Sequence, residues 1–346
     1  MAKKILIIRF SSLGDLILTT PFYRELKKQE PKAELHLVTS TSFSALLKGN
    51  PHLHRIYELD RREGKPAFAA LLKELKGQDW DLVFDLHQSL RSRLLLGKLF
   101  GWAYRLRPYI HCMDKRGLKR WMLLSFKINW MKGFQSQREN YLTLLQAAYP
   151  SAKLKNHTEL FPDSDAKQKI KTILTETCPN EKPLIALGAG ASFPLKRWPK
   201  EYFLQLGHSL LEKGYQPILM GGEGEEESEW IAEKGEGKFI DMTGQLSYLE
   251  TAALLEKCQL AISNDSAIVH FSEAMKTPAL AIFGPTVKEF GFGPFLKQSL
   301  LMERDQLSCR PCSRNGKGKC SNGETLACLQ DILPEDVLTE ALKRLK

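Results

Sequence analysis

The apolar run KILIIRF empties into SSLGDLILTTP, so the carboxylate of Asp15, following Gly14, stands where a buried strand gives way to a loop. An acid in that place can take a proton from a hydroxyl brought to it. Three further stretches offer complementary chemistry. GAGASFPLKRWPKEYF, residues 188–203, pairs a glycine-rich exit from a strand with Ser192 and Lys196, a hydroxyl donor and a mobile cation suited to a diphosphate. It is neither a Walker A sequence nor a G-x-G-x-x-G fingerprint, and a purely structural turn uses the same residues. SNDSAIVHFSEA, residues 263–274, sets Asp265 where strand becomes helix, as an N-cap with a second oxygen left for a ligand. His270, five residues on, is expected to pack inside that helix. GGEGEEESEW, residues 221–230, holds five acids after a strand, of which one can accept from a ribose diol.

Positioning these groups requires strands that end near one another. KKILIIR, AELHLVTS and DWDLVFDLH read as strands separated by helical stretches, one of them opened by Thr20 as N-cap and Pro21 as first helical residue. After a polar connection the alternation restarts with PLIALGAG, QPILMGG, QLAISND and PALAIFGPT as strands, and with helices from Pro199 to Gly214, over SYLETAALLEKC and over SAIVHFSEAMK. Strand–helix alternation predicts α/β architecture with parallel sheets and right-handed crossovers. Two doubly wound, Rossmann-like domains are expected: 1–165, a linker over 166–182, and 183–346, with ligands taken at the carboxyl edges in a cleft between them.

The 346 residues exceed what one core usually supports, and no apolar run reaches the length of a membrane span. The short N-terminal apolar stretch does not make a signal peptide, so a cytoplasmic protein is expected. Formal charge is +10, which points to an anionic partner. Between Arg91 and Arg138 stand twelve Lys and Arg against one acid, Asp114, interleaved with Trp102, Tyr104, Trp121, Phe126 and Trp130. That mixture suits an anionic membrane surface or a sugar–lipid acceptor, although a solvated basic helix pair has the same composition.

Cys112, Cys178 and Cys258 are scattered and expected to be buried thiols. Cys309, Cys312, Cys320 and Cys328 cluster within CRPCSRNGKGKCSNGETLACL, and four thiols can hold zinc tetrahedrally. Their spacing is not that of paired C-x2-C knuckles, and reduced thiols or redox-labile pairs are the expected state.

The ordered set RFSSLGDLILTTP, KRWPKEYF, MTGQLSYLE and NDSAIVHFSEAMKTPALAIFGPT resembles the lipopolysaccharide heptosyltransferases, glycosyltransferase family 9, across almost the whole chain. The resemblance implies a GT-B fold and metal-independent, inverting transfer from ADP-heptose, with no cofactor, of the heptosyltransferase II kind. The implied acceptor is the inner core of lipopolysaccharide (Kdo-lipid A), at the cytoplasmic face of the inner membrane.

By the same resemblance Asp15 matches the general base and Lys196 the lysine on the donor diphosphate, with Ser192 beside it. Asp265 matches the acid that grips the heptose, and Gly14, Ser266, Ala267 and His270 are expected as further donor-side positions. Glu226 is taken for the ribose contact. Ala267 departs from the glycine that relatives tend to have there, and its methyl group crowds backbone approach to a phosphate. Asp85, His87 and Arg91 are expected on the acceptor wall.

Two other classes of protein share parts of this pattern. A nucleic-acid-binding protein with a Cys-rich zinc module leaves the strand-edge acids unexplained. A nucleotide-sugar epimerase or dehydrogenase lacks its glycine fingerprint after the first strand.

Overall fold

The run KILII forms β1 (Lys4–Ile8), whose Ile5–Ile8 are wholly buried because a central parallel strand is covered on both faces. In the computed structural model, which describes residues 2–134, 136–323 and 325–345, the chain divides into two units. One comprises Met1–Gly117 and Gln137–Phe161, the other Leu118–Ser136 and Pro162–Lys346.

In the first unit β1 is joined by β2 (Glu34–Ser40), β3 (Arg55–Leu59), β4 (Leu82–Asp85) and β5 (Ile110–Cys112), all parallel, in the order β3-β2-β1-β4-β5. The chain winds outward through β2 and β3, then returns to β4 on the other side of β1. The strand order therefore reverses between β1 and β4, and loops leaving those two carboxyl ends diverge and open a crevice.

The second unit repeats the plan with β6 (Leu184–Gly188), β7 (Gln216–Leu219), β8 (Ile240–Asp241), β9 (Cys258–Asn264), β10 (Ala279–Phe283) and β11 (Leu300–Glu303). Their order is β11-β10-β9-β6-β7-β8, so the reversal falls between β6 and β9, the strands that GAGASFPLK and SNDS leave. Ile185, Leu187, Leu260, Ile262, Leu280 and Ile282 pack with Trp198, Phe203 and Leu329 in its core. Among the described residues no helix is long and apolar enough to cross a membrane.

Three local expectations need correction. The loop carrying Asp15 is a short helix, Leu13–Leu18, because Leu16, Ile17 and Leu18 are all buried; the next helix is Thr20–Gln29, with Thr19 as its N-cap. The short helical pattern within the polar connection is a full helix, Ser164–Thr177, capped by the Asp163 carboxylate on Ala166 N–H at 2.8 Å. It belongs to the second unit, where Lys169 pairs with Glu250 of the neighbouring helix Tyr248–Leu255 and Lys167 with Glu256, which caps that helix's C-terminus. Its polar sequence reads as a connection because only Ala166 and Ile170 are buried. Part of the basic stretch, 118–136, also belongs with the second unit rather than the first. β3, β5, β8 and β11 lie outside the strands read from the sequence. They are short or lie at sheet edges, where half-exposed residues dilute the apolar signal.

Candidate active site

In the first unit the chain leaves β1 through Arg9, Phe10 and the two serines, and the N-terminus of helix Leu13–Leu18 brings Asp15 back over that exit. One carboxylate oxygen of Asp15, Oδ1, lies 2.7 Å from Arg9 Nη2 and accepts from the Tyr141 hydroxyl at 3.2 Å. The other, Oδ2, accepts from Ser12 Oγ at 2.8 Å and from Ser12 N–H at 3.3 Å. Burial alone would raise the carboxyl pKa, but Arg9, Ser12 and Tyr141 outweigh it and hold it below the usual carboxylate range. Asp15 is thus ionised at neutral pH, and 16% of its side chain remains accessible to a substrate.

Arg9 is fixed in turn. Its Nη1 donates to Leu86 O at 2.6 Å, and its guanidinium lies 5.5 Å from the centre of the Tyr141 ring. Tyr141 comes from helix Gln137–Ala148, more than a hundred residues downstream, and its pKa is raised by burial, so it stays a donor. The sequence alone gives neither Arg9 nor Tyr141 a role. A cation preceding a catalytic-type acid by six residues was the available signal for Arg9; none existed for Tyr141.

The loop after β4 meets the same edge. Asp85, expected on the acceptor wall, is wholly buried and ties the turn together, its oxygens accepting from His87 N–H at 2.9 Å, Gln88 N–H at 2.8 Å and Gln88 Nε2 at 2.8 Å. It is a structural residue, since a parallel strand must dispose of its terminal amides somewhere. His87 stays partly exposed, and its Nδ1 accepts from Phe10 N–H at 3.0 Å, which leaves the proton on Nε2. Burial and the nearby cations lower its pKa to about 3, so it is a neutral donor. Arg91, also partly exposed, extends over the Phe10 ring at 5.9 Å.

In the second unit the loops at the β6–β9 reversal converge. Lys196 Nζ lies 2.7 Å from Asp265 Oδ2, which also accepts from Thr286 Oγ1 at 2.7 Å. Asn264 locks the two loops, accepting from Trp198 N–H at 3.0 Å and donating to Ala189 O at 2.6 Å. Asp265 is not the helix cap: Ser266 is, its Oγ accepting from Ile268 N–H at 3.3 Å, with Ala267 first in helix Ala267–Ala274. Freed from capping, the Asp265 carboxylate is committed to Lys196 and Thr286. His270 is buried on that helix beside Phe292, as expected. Ser192 is exposed, while Gly14 lies on helix Leu13–Leu18 beside Asp15.

Within the acidic stretch two neighbouring glutamates are placed differently. Glu226 is exposed at the start of helix Glu226–Lys234, whereas Glu225 turns inward against the strand exits. A Cβ on Gly190 or Gly221 would collide with the Glu225 carboxyl group, so these glycines make room for it. Burial raises the Glu225 pKa, and its Oε2 is buried without a hydrogen-bond partner among the described residues.

The cysteine-rich segment braces this site. Cys312 N–H donates to Pro285 O at 3.1 Å, and Arg310 donates to Gly284 O and Thr286 O at 2.6 and 2.7 Å. Gly316, at φ +84°, lies so close to the Lys196 stem that a Cβ would sit 2.6 Å from Lys196 Cγ. All four cysteines are free, and burial raises the pKa of Cys328 to about 11. Among the described residues, the group whose metal-ligating atoms lie within 4.8 Å of one another is Glu34, His36 and His54, at the opposite edge of the first sheet; the cysteines form no such group.

Comparison with known proteins identifies the family and the fold. Residues 68–320 match the model for glycosyltransferase family 9 (heptosyltransferase). A lipooligosaccharide heptosyltransferase 2 from Haemophilus ducreyi is 26% identical over 361 residues, covering 97% of this chain and 98% of that one. A family 9 glycosyl transferase from Veillonella parvula has a similar structure, with a TM-score of 0.81 at 21% identity, covering 99% and 97% of the two chains. The E. coli ADP-heptose lps heptosyltransferase II gives a TM-score of 0.74 at 22% identity, covering 99% and 98%. The α/β fold of GT-B type is therefore shared, and the nucleic-acid-binding reading finds no support. From a family match that spans well over half of its length, this chain belongs to glycosyltransferase family 9, the heptosyltransferase family.

Proposed function

We propose that the chain transfers a heptose from ADP-heptose to the inner core of lipopolysaccharide, inverting the anomeric configuration, in the manner of a heptosyltransferase II. The observation that carries this reading is Asp15, an ionised carboxylate held by three partners at the exit of β1 yet still accessible. Such a group is built to accept a proton in a fixed direction.

The chemistry asks for little more. The acceptor hydroxyl oxygen forms a bond to the anomeric carbon while the bond from that carbon to the diphosphate breaks, and ADP leaves with the electron pair. The hydroxyl proton passes to Asp15. A diphosphate is a stable anion, so no acid has to protonate it, unlike the leaving group in glycoside hydrolysis. Lys196 supplies the countercharge. In the resting chain that charge is matched by Asp265. Donor binding exchanges partners: the diphosphate takes Lys196, and the sugar hydroxyls take the oxygen that Asp265 releases. Thr286 keeps Asp265 oriented through the exchange. Glu225, rather than Glu226, has the buried free oxygen suited to a ribose hydroxyl. Under this reading ADP-heptose is a substrate, and neither metal nor cofactor takes part.

The test is incubation of the purified protein with ADP-heptose and lipid acceptors truncated to Kdo alone or to Kdo with one heptose. Transfer to the second acceptor with inverted configuration is expected. No transfer to either, or retention, overturns the reading.

A further inference from the structure

Helix Gly117–Phe126 is built inside out. Its inward face carries a cation, Arg120, only 9% exposed, with Leu123 at 5%, whereas Leu118 is 66% exposed, Trp121 52% and Phe126 56%. The chain then continues with Ile128 at 42% and Trp130 at 53% exposed. Five large apolar side chains within thirteen residues thus face solvent, a concentration that a surface without a partner does not sustain.

The segment is fixed rather than loose. Lys127 Nζ donates to Cys309 O at 3.0 Å and Pro311 O at 2.6 Å, Asn129 Nδ2 donates to Glu289 Oε1 at 3.0 Å, and Met131 is buried. These anchors hold the polar and buried side of the segment on the second unit and leave the aromatic side outward. Trp121 and Phe126 meet edge to face with ring centres 5.2 Å apart.

Charge selects among the possible occupants. Residues 118–136 contain four cations and no acid, and Lys119 and Lys132 are exposed, close in sequence to Trp121 and Trp130. Aromatic rings that bury an apolar face and keep a polar edge wet, flanked by lysine, are the composition of a bilayer interface. We propose that residues 118–132 dock the protein on an anionic bilayer, with Trp121, Phe126 and Trp130 seated among the headgroups and Lys119 and Lys132 on lipid phosphates. The inference deepens the proposed function only in that a lipid-linked acceptor would be met at the same surface.

The test uses the full chain and vesicles of phosphatidylethanolamine with phosphatidylglycerol, against vesicles of phosphatidylcholine, read by co-sedimentation. The wild-type chain is expected to pellet with the anionic vesicles, and brominated acyl chains should quench its tryptophan fluorescence. A W121S/F126S/W130S variant should partition at least about 100-fold less, from the apolar area lost. Lys119→Gln or Lys132→Gln should each cost about 5-fold and weaken the response to salt. Transfer to a water-soluble, delipidated acceptor should not change in any of these variants. Vesicle binding by a chain that transfers no sugar would support the docking surface and overturn only the proposed function. Equal partition of wild type and triple variant overturns the docking surface, and so does a wild type that ignores anionic vesicles but forms a dimer which the triple variant loses.

Discussion

Arg9 Nη2 lies 2.7 Å from Oδ1 of Asp15, and this contact, with the Ser12 and Tyr141 hydrogen bonds, keeps the acid ionised in spite of its burial. Replacing Arg9 by Met removes the positive charge and lets the Asp15 pKa rise. The acid limb of kcat/KM should therefore move to higher pH in Arg9→Met, while Arg9→Lys should restore much of the wild-type profile. An acid limb that stays in place in Arg9→Met separates Arg9 from the protonation state of Asp15.

The Lys196–Asp265 pair predicts a division of labour. Lys196→Met should weaken ADP binding by about 10- to 100-fold, the scale of a hydrogen bond to a charged group. Asp265→Asn should leave ADP affinity unchanged or improved, because it frees Lys196, while weakening ADP-heptose. Titration calorimetry with both nucleotides reads the difference. If the two variants lose ADP and ADP-heptose in equal measure, the partner exchange is wrong.

Glu225 and Glu226 are adjacent in sequence but differ in burial, and only Glu225 keeps a buried oxygen without a partner. Glu225→Gln is expected to weaken ADP by roughly 10-fold, and Glu226→Gln to leave it within twofold. A silent Glu225→Gln would return the ribose contact to another residue.

How much of this was legible in the sequence follows from which signals are local. Asp15, Lys196 and Asp265 stand out in the sequence as candidates because each lies in a segment that leaves an apolar strand, and a strand's carboxyl end is where α/β sheets take ligands. What sequence spacing cannot show is partnership at a distance. Tyr141 reaches Asp15 from a helix 126 residues away, and Thr286 reaches Asp265 from beyond β10. Asp85 misled for the converse reason: an acid at a strand exit looks the same in sequence whether it faces a ligand or binds the amides of its own turn. That Glu225 rather than Glu226 turns inward was not legible, because a run of acids at a helix start has no periodicity to say which one does so.

His87 is held neutral, with its pKa lowered from 6.5 to about 3, while its Nδ1 accepts from Phe10 N–H. The unfolded chain binds this proton more readily, so the contribution to stability is complete above pH 6.5 and is lost as pH falls toward 3. His87→Asn, which keeps an acceptor for Phe10, should flatten the fall of the unfolding free energy across that window. Denaturant melts at a series of pH values measure it, and an unchanged slope would place the acid sensitivity elsewhere.

Removal of the acceptor's proton by Asp15 is probed by Asp15→Asn, with single-turnover transfer and ADP-heptose dissociation measured on the same protein. Transfer slower by about 10² to 10⁴-fold is expected, with the donor dissociation constant unchanged. Transfer at the wild-type rate, or a loss explained wholly by weaker donor binding, would contradict it.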